Sequence, residues 1–324
     1  MIGIDDIEAA AGRLAGVAIH TPLIENDELN RVAGGRVLVK PECLQRTGSF
    51  KIRGAYNLIS QLDAAERHKG VVAFSSGNHA QGIAAAGRML GVATTIVMPS
   101  DAPATKLANT ERLGGKVITY DRYTDSREAI AERIAAETGS TIAPSFNHPD
   151  IIAGQGTAGL EIRDDLLEAG LVPDQFLICC GGGGLSAGSA LALRSAFPGV
   201  AIHPVEPANF DDTARSLESG QRESNDKSAR SICDAILTDS PGDLTFDILC
   251  RVDAHGLVVS DDEVRAAMRF AFRHLKLVVE PGGAVALAAV LSGKVSTNDR
   301  LTVLTLSGGN VDLALFDAIQ AERG

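Results

Sequence analysis

Five short stretches of this chain hold groups that could do chemistry together. Thr47-Gly48-Ser49-Phe50-Lys51-Ile52-Arg53-Gly54-Ala55 sets one lysine among apolar neighbours at the start of a helical pattern. Apolar walls and a helix N-terminus both disfavour the ammonium form, which leaves Lys51 a usable amine nucleophile. The same pattern also suits an amphipathic-helix lysine snorkelling to water. Ser75-Ser76-Gly77-Asn78-His79 offers hydroxyls, an amide and an imidazole at a strand-to-helix turn, a cradle suited to a carboxylate. It also reads as a capped helix start, with Ser76 or Asn78 as the cap. Gly181-Gly182-Gly183-Gly184 follows the apolar run Phe176–Cys180 and precedes Leu185-Ser186-Ala187. Four bare residues let backbone N–H groups converge, and the helix start adds positive potential, so a phosphate fits there; a flexible turn is the alternative. Glu206, Asp211 and Asp212 place three carboxylates within seven residues, either a hard-cation site or ordinary solvated acids. Ser307-Gly308-Gly309-Asn310 is a further backbone turn after an apolar run.

The elements needed to position these groups alternate along the chain. Strands are expected at Val71–Phe74, Thr94–Met98, Lys116–Thr119, Phe176–Cys180, Ala201–Val205 and Leu301–Leu306. Helices are expected at Gln81–Leu90, Ala104–Leu113, Ser126–Glu137, Gln155–Ala169, Leu185–Ala196, Asp261–Leu275 and Pro281–Leu291. Short apolar strands alternating with helices imply βαβ units and parallel sheets covered on both faces. Four of the five stretches fall where a strand gives way to its turn or helix, the edge at which open α/β sheets place ligands. The block 71–139 is compact enough to be an inserted smaller lobe, with a ligand cleft beside it. Gly220–Asp226 reads as a surface loop.

Composition narrows the classes. The chain has 324 residues, a net charge of −11 and only 4% aromatic residues, with no basic, aromatic-interleaved run of the kind that grips nucleic acid. Residues 1–12 lack a basic, then apolar, leader pattern, and no apolar stretch reaches membrane-spanning length. A cytoplasmic protein is expected, with no nucleic-acid or membrane partner. Cys43, Cys179, Cys180, Cys233 and Cys250 form no metal spacing and read as reduced thiols. There is no G-x-x-x-x-G-K-[ST], so a nucleoside-triphosphate loop is not expected, and the match of residues 182–187 to G-x-G-x-x-A lacks a clear acidic ribose partner.

Taken together, Ser49-Phe50-Lys51-Ile52-Arg53-Gly54-Ala55, the Ser75–His79 turn, the tetraglycine and Ser307–Asn310 resemble, in order and spacing, the fold-type II pyridoxal-phosphate enzymes. More narrowly they resemble the serine racemase and serine/threonine dehydratase group. The resemblance runs from His20-Thr21-Pro22-Leu23 to Asn310 and takes in Ile152–Thr157 and Glu280–Ala284.

That resemblance implies a two-lobed α/β fold like that of the tryptophan synthase β chain. Residues 1–48 and 145–324 would form the large cofactor-binding domain and 49–144 the small inserted one. It implies pyridoxal 5′-phosphate bound covalently by Lys51, which later serves as base at the substrate Cα. Phe50 would pack by the ring and Asn78 would bond its 3′-oxygen. Gly181, Gly182, Gly183, Gly184 and Leu185 would hold the phosphate, and Ser307 would meet the pyridine nitrogen. Ser75, Ser76, Asn78 and His79 would receive the substrate carboxylate. Glu206, the Phe210 carbonyl and Asp212 would hold Mg2+, Ca2+ or Mn2+. A hydroxyl rather than a carboxylate at the ring nitrogen leaves it near neutral, which favours expelling a β-substituent over transamination. The expected reaction is β-elimination from serine, threonine or 3-hydroxyaspartate, giving a 2-oxo acid and ammonia, in a homodimer; the cofactor phosphate is the nearest candidate acid for the departing hydroxyl.

Ser76 matches racemase-like and hydroxyaspartate-dehydrating members rather than biosynthetic threonine dehydratases. It would carry protons on the face opposite Lys51. Arg127 would receive a second carboxylate, or else face solvent. The chain ends fourteen residues after Asn310, so no regulatory domain is expected. Serine- or aspartate-type racemisation, β-replacement and a non-catalytic binding protein on the same scaffold are the alternatives. Retained Lys51 disfavours the last, and the Ser75–His79 loop disfavours replacement.

Overall fold

The computed structural model describes residues 2–102, 104–121 and 123–322. In chain order its main elements are α1 (Ile4–Leu14), β1 (Ile24–Glu25), α2 (Asp27–Ala33), β2 (Arg36–Pro41), α3 (Lys51–Ser60), α4 (Ala64–Lys69), β3 (Val71–Phe74), α5 (Asn78–Leu90), β4 (Thr94–Pro99), α6 (Ala104–Arg112), β5 (Gly115–Tyr120) and α7 (Arg127–Thr138). There follow β6 (Thr141–Ile142), α8 (Pro149–Glu168), β7 (Gln175–Cys179), α9 (Gly184–Ala196), β8 (Ala201–Pro207), α10 (Asp212–Ser219), α11 (Asp243–Arg251), β9 (Leu257–Val259), α12 (Asp261–Phe270), α13 (Pro281–Leu291), β10 (Leu301–Leu306) and α14 (Leu313–Ala321).

They build two sheets. One has the order β1-β2-β10-β7-β8-β9, parallel except for the antiparallel β1–β2 pair. The other, β5-β4-β3-β6, is parallel throughout. Parallel strands covered on both faces must be apolar at every position rather than alternating. β7 meets that demand with Phe176, Leu177 and Ile178 all fully buried. It sits between β10 and β8, at the centre of the larger core. A separate apolar cluster, including Ile52, Ile83, Ile96 and Met98, fills the space around the smaller sheet.

Most expected elements are present, with the differences at their ends. The helix expected from Gln155 starts at Pro149, where His148 caps it and proline occupies a first-turn position that needs no N–H. The helix expected to run unbroken to Leu275 stays α-helical only to Phe270; Ala271–Leu275 forms a π turn that ends at Lys276, in the left-handed region at φ 60°. β2 was not among the expected strands. In the fold Lys40 is fully buried and its charge is met by Glu161 at 2.7 Å.

Three strands aim at one place. β3 ends before Ser75, β7 ends before the glycine run and β10 ends before Ser307. Helix α8 packs against both α3 and α9. At the α8–α9 contact Gly156 lies against Gly188 and Gly159 against Ser189, so closely that an added Cβ would collide with the facing backbone. This close approach fixes the start of α9, and with it the glycine run, relative to α3 and Lys51.

Candidate active site

Lys51 is the first residue of α3. The Phe50 N–H donates to the Ser307 carbonyl at 3.1 Å, and Ser49 bridges to Gly308, which ties the start of α3 to the end of β10. Two residues on, Arg53 is fully buried and paired with Glu42 at 2.8 Å and Glu161 at 2.7 Å, which anchors the helix from below. The Lys51 Nζ donates to the Ser145 carbonyl at 3.0 Å and lies 4.9 Å from the Phe50 ring centre. Burial of the amine pushes its pKa down to about 8, against the opposing pull of Cys179 and Glu280. It is therefore far easier to deprotonate than a surface lysine.

A cavity of about 400 Å³ opens over this amine. Its walls hold Phe50, Lys51, Ser75, Ser76, Asn78, His79, Arg127, Gly181 to Gly184, Leu185 and Ser307, so one cleft gathers all these residues from segments far apart in the chain. Gly77 is the N-cap of α5 and no side chain caps it, so neither Ser76 nor Asn78 plays that part. The first-turn N–H groups of α5 are thus left for a ligand. The Gly183 backbone is left-handed at φ 91°, and a Cβ there would lie 2.8 Å from the Thr245 Oγ1. Thr245 in turn donates to the Gly182 carbonyl at 2.6 Å, which locks the loop's shape.

Three placements bear on the expected roles. The His79 Nε2–H donates to the Ala143 carbonyl at 2.9 Å, and burial, helped by Lys51, pushes the imidazole pKa down to about 3. His79 is therefore neutral and its side chain brings no charge to a carboxylate; what it offers is its backbone N–H in the first turn of α5. Asn78 is already engaged. Its Nδ2 donates to Glu280 Oε1 at 2.6 Å and its Oδ1 accepts from Asn310 at 2.7 Å. Arg127 begins α7 at the cleft mouth, where its side chain is half exposed. It bonds Glu128 at 2.8 Å and lies 5.6 Å from the Phe74 ring centre.

Glu280 belongs to the site although its sequence context gave it no role. It is buried at the N-cap of α13, lines the cleft, and burial with the nearby Asp234 pushes its pKa up to about 8. The only cue in the sequence was a carboxylate directly before Pro281-Gly282-Gly283.

Glu206, Phe210 and Asp212 are not part of the cleft lining. Both carboxylates are buried. Glu206 accepts from the Thr213 and Ala214 N–H groups at 3.1 and 2.8 Å, while Asp212 Oδ2 is buried without a partner. Burial first, and then the charge of Asp212, push the Glu206 pKa well up; burial pushes Asp212 to about 6. Two buried carboxylates with a spare oxygen suit an oxygen-loving cation. Among the described residues, however, no group of three or more His, Cys, Asp and Glu side chains gathers as a metal centre.

The match to known proteins is full-length. The family model described as pyridoxal-phosphate dependent enzyme matches residues 15–308. The chain belongs to this family. It is 44% identical to the L-threo-3-hydroxyaspartate ammonia-lyase of a Pseudomonas species, over 97% of both chains. It is 40% identical to the serine racemase of Schizosaccharomyces pombe, covering 96% of this chain and 95% of the other. The structure of maize serine racemase superposes with a TM-score of 0.92 at 35% identity, covering 98% of this chain and 97% of that one. The cofactor fits what the cleft offers: a buried amine of lowered pKa, and opposite it a glycine loop opening a helix of thirteen residues. No helix among the described residues is long and apolar enough to cross a membrane.

Proposed function

We propose that this pyridoxal-phosphate enzyme is an ammonia-lyase for β-hydroxy amino acids, with 3-hydroxyaspartate its preferred substrate. The observation that carries the reading is Lys51, a lysine of lowered pKa held on the Ser145 carbonyl beneath one cleft, between a carboxylate cradle and a phosphate cradle. When bound, the cofactor withdraws electrons from the substrate Cα. The chain's residues do the rest. The N–H groups that open α5, with Ser75 and Ser76, hold the α-carboxylate. Lys51 takes the Cα proton, and the β-hydroxyl takes up a proton and leaves as water, so that the substrate loses H and OH together. The enamine released tautomerises and hydrolyses to a 2-oxo acid and ammonia. Ser307 would present a hydroxyl rather than a charge to the ring nitrogen of the bound cofactor, which would favour elimination.

Arg127 is the group on which the substrate choice rests. It is a cation at the cleft mouth, able to swing from Glu128 to a substrate β-carboxylate. At a half-exposed position such a pair is worth about 1 kcal/mol, or about 5-fold. Arg127→Ala should lower kcat/KM for 3-hydroxyaspartate by about that factor and leave serine within 2-fold. Equal losses on both substrates would remove the second-carboxylate reading. Ser76 on the same cleft wall favours amino-acid racemisation as a second activity, read out as inverted serine.

The unpartnered Asp212 Oδ2 supports a divalent cation held by Glu206, the Phe210 carbonyl and Asp212. A homodimer is supported by Leu44, Phe272, Val278 and Leu313, which are exposed large apolar side chains. Val278 and Cys43 meet at Gly309, and Phe272 stacks edge-on with Phe316, which places these residues near one another. Light scattering at the monomer mass would refute that assembly.

A further inference from the structure

Asn225 ties the Glu206–Asp212 pair to the wall of the cleft. It is half-buried in the loop that follows α10. Its Nδ2 donates to Asp212 Oδ1 and, at 2.8 Å, to the Thr238 carbonyl. An amide nitrogen carries two hydrogens, so both are spent. Its Oδ1 accepts from Arg215 at 2.7 Å, which fixes the orientation of the amide. Its backbone N–H donates to the Asp239 carbonyl at 2.9 Å. Thr238 and Asp239 both line the cleft, in a stretch that is neither helix nor strand. Two of the bonds that hold this stretch therefore come from one residue, and that residue also holds Asp212.

The other oxygen of Asp212, Oδ2, is buried without a partner, and the charge of Asp212 acts on Glu206. Two buried carboxylates repel one another; with a cation between them they are drawn together. Asp212 thus has one setting with the cation and another without it. Asn225 carries the difference to the Thr238 and Asp239 carbonyls. At the far end of that stretch the Asp239 charge acts on Arg127, which lines the same cleft. The two settings of Asp212 therefore reach the place where an amino acid enters.

We infer that Asn225 is a positioning residue that couples divalent-cation binding at Glu206 and Asp212 to amino-acid binding in the cleft. This coupling rests on the cation reading of that pair. A residue that merely stapled its loop would support the protein equally with either site filled or empty. Its loss would change both affinities and leave their dependence on one another untouched. A coupling residue is different: its loss removes the dependence itself.

The test is the Mn2+ affinity of the cofactor-loaded enzyme, read from the electron paramagnetic resonance of the free ion. It is measured without an amino acid and then with L-aspartate or L-alanine at saturation, whichever binds more tightly by the change in cofactor absorbance. Neither has a β-hydroxyl, so neither loses water. In the wild type the amino acid should tighten Mn2+ by about fivefold or more, the lower end of couplings between sites. Asn225→Leu keeps the branched shape and removes the three side-chain bonds. It should still bind Mn2+, with the two affinities within about twofold of each other. Should N225L fail to hold Mn2+, Arg215→Met, which leaves Asn225 in place but frees its amide, should hold it and lower the ratio by about twofold or more. A wild-type ratio of one, a ratio unchanged in the variants, or loss of Mn2+ from both would overturn the coupling. A wild type that binds no Mn2+ under either condition would remove the cation reading, and one that takes neither amino acid would remove the amino-acid reading of the cleft; the coupling falls with each.

Discussion

Replacing Arg53 by methionine removes one charge from a buried cluster of four. Arg53 donates twice to Glu42 at 2.8 Å, to Glu161 at 2.7 and 2.8 Å, to Thr157 Oγ1 at 3.1 Å and to the Ile19 carbonyl at 3.3 Å. Lys40 meets Glu161 from the other side. Two cations thus balance two carboxylates, and in R53M one carboxylate is left over. Glu161 keeps Lys40, so the loss falls on Glu42, which is fully buried and retains only the Thr21 hydroxyl at 2.7 Å and the more distant Lys40 charge. Breaking a buried pair from one side costs about 3–5 kcal/mol. The loss has a ceiling, because Glu42 can take a proton instead. From its ordinary value of 4.5 that costs about 3.4 kcal/mol at pH 7 and about 0.7 at pH 5. In the wild type Arg53 holds the Glu42 pKa down against burial, so its contribution is present above pH 4.5 and fades as pH falls. The variant should therefore be about 3 kcal/mol less stable at pH 7 and nearer 1 kcal/mol less stable at pH 5. Urea unfolding followed by circular dichroism at both pH values reads this directly. A loss below 1 kcal/mol at pH 7, or equal losses at both, would show that the cluster does not hold α3 by charge.

Two other outcomes follow from local geometry. Gly183→Ala puts a side chain at φ 91° and 2.8 Å from Thr245 Oγ1; left-handed strain alone costs about 1–2 kcal/mol, so cofactor retention on dialysis should fall by about tenfold or more, and unchanged retention would count against the phosphate cradle. The Glu206–Asp212 pair should make the EDTA-treated protein lose stability as pH rises, since both folded pKa values lie above the ordinary ones. Asp212 alone, raised from 3.8 to about 6, accounts for about 3 kcal/mol across that window. Mn2+ or Mg2+ should restore the wild type and not Asp212→Asn; a flat pH profile without response to either cation would favour a carboxylate pair sharing a proton.

What could be read from the sequence was whatever is decided locally. A glycine run behind a buried strand, Ser-Ser-Gly-Asn at a strand-to-helix turn and the apolar strands themselves depend on backbone conformation and on burial of a continuous run, and both are written in neighbouring residues. Roles set by distant partners were not legible. Lys40 is tolerated at full burial in β2 only because its neutralising Glu161 lies on α8. The imidazole of His79 was read as a carboxylate ligand because its acceptor, the Ala143 carbonyl, comes 64 residues later. Glu280 stood in a quoted motif without a task. Its place in the site comes from Asn78, which only the fold brings beside it.

Lys51 should drive elimination from a β-hydroxy amino acid. The most direct measurement is parallel release of ammonia and 2-oxo acid by the cofactor-loaded enzyme from L-threo-3-hydroxyaspartate, L-serine and L-threonine, beside Lys51→Ala. The two products should appear in equal amounts, fastest from 3-hydroxyaspartate, and K51A should show neither product nor the bound cofactor's visible absorbance. Turnover that survives in K51A, or a loaded wild type that releases no ammonia from any of the three, would contradict it.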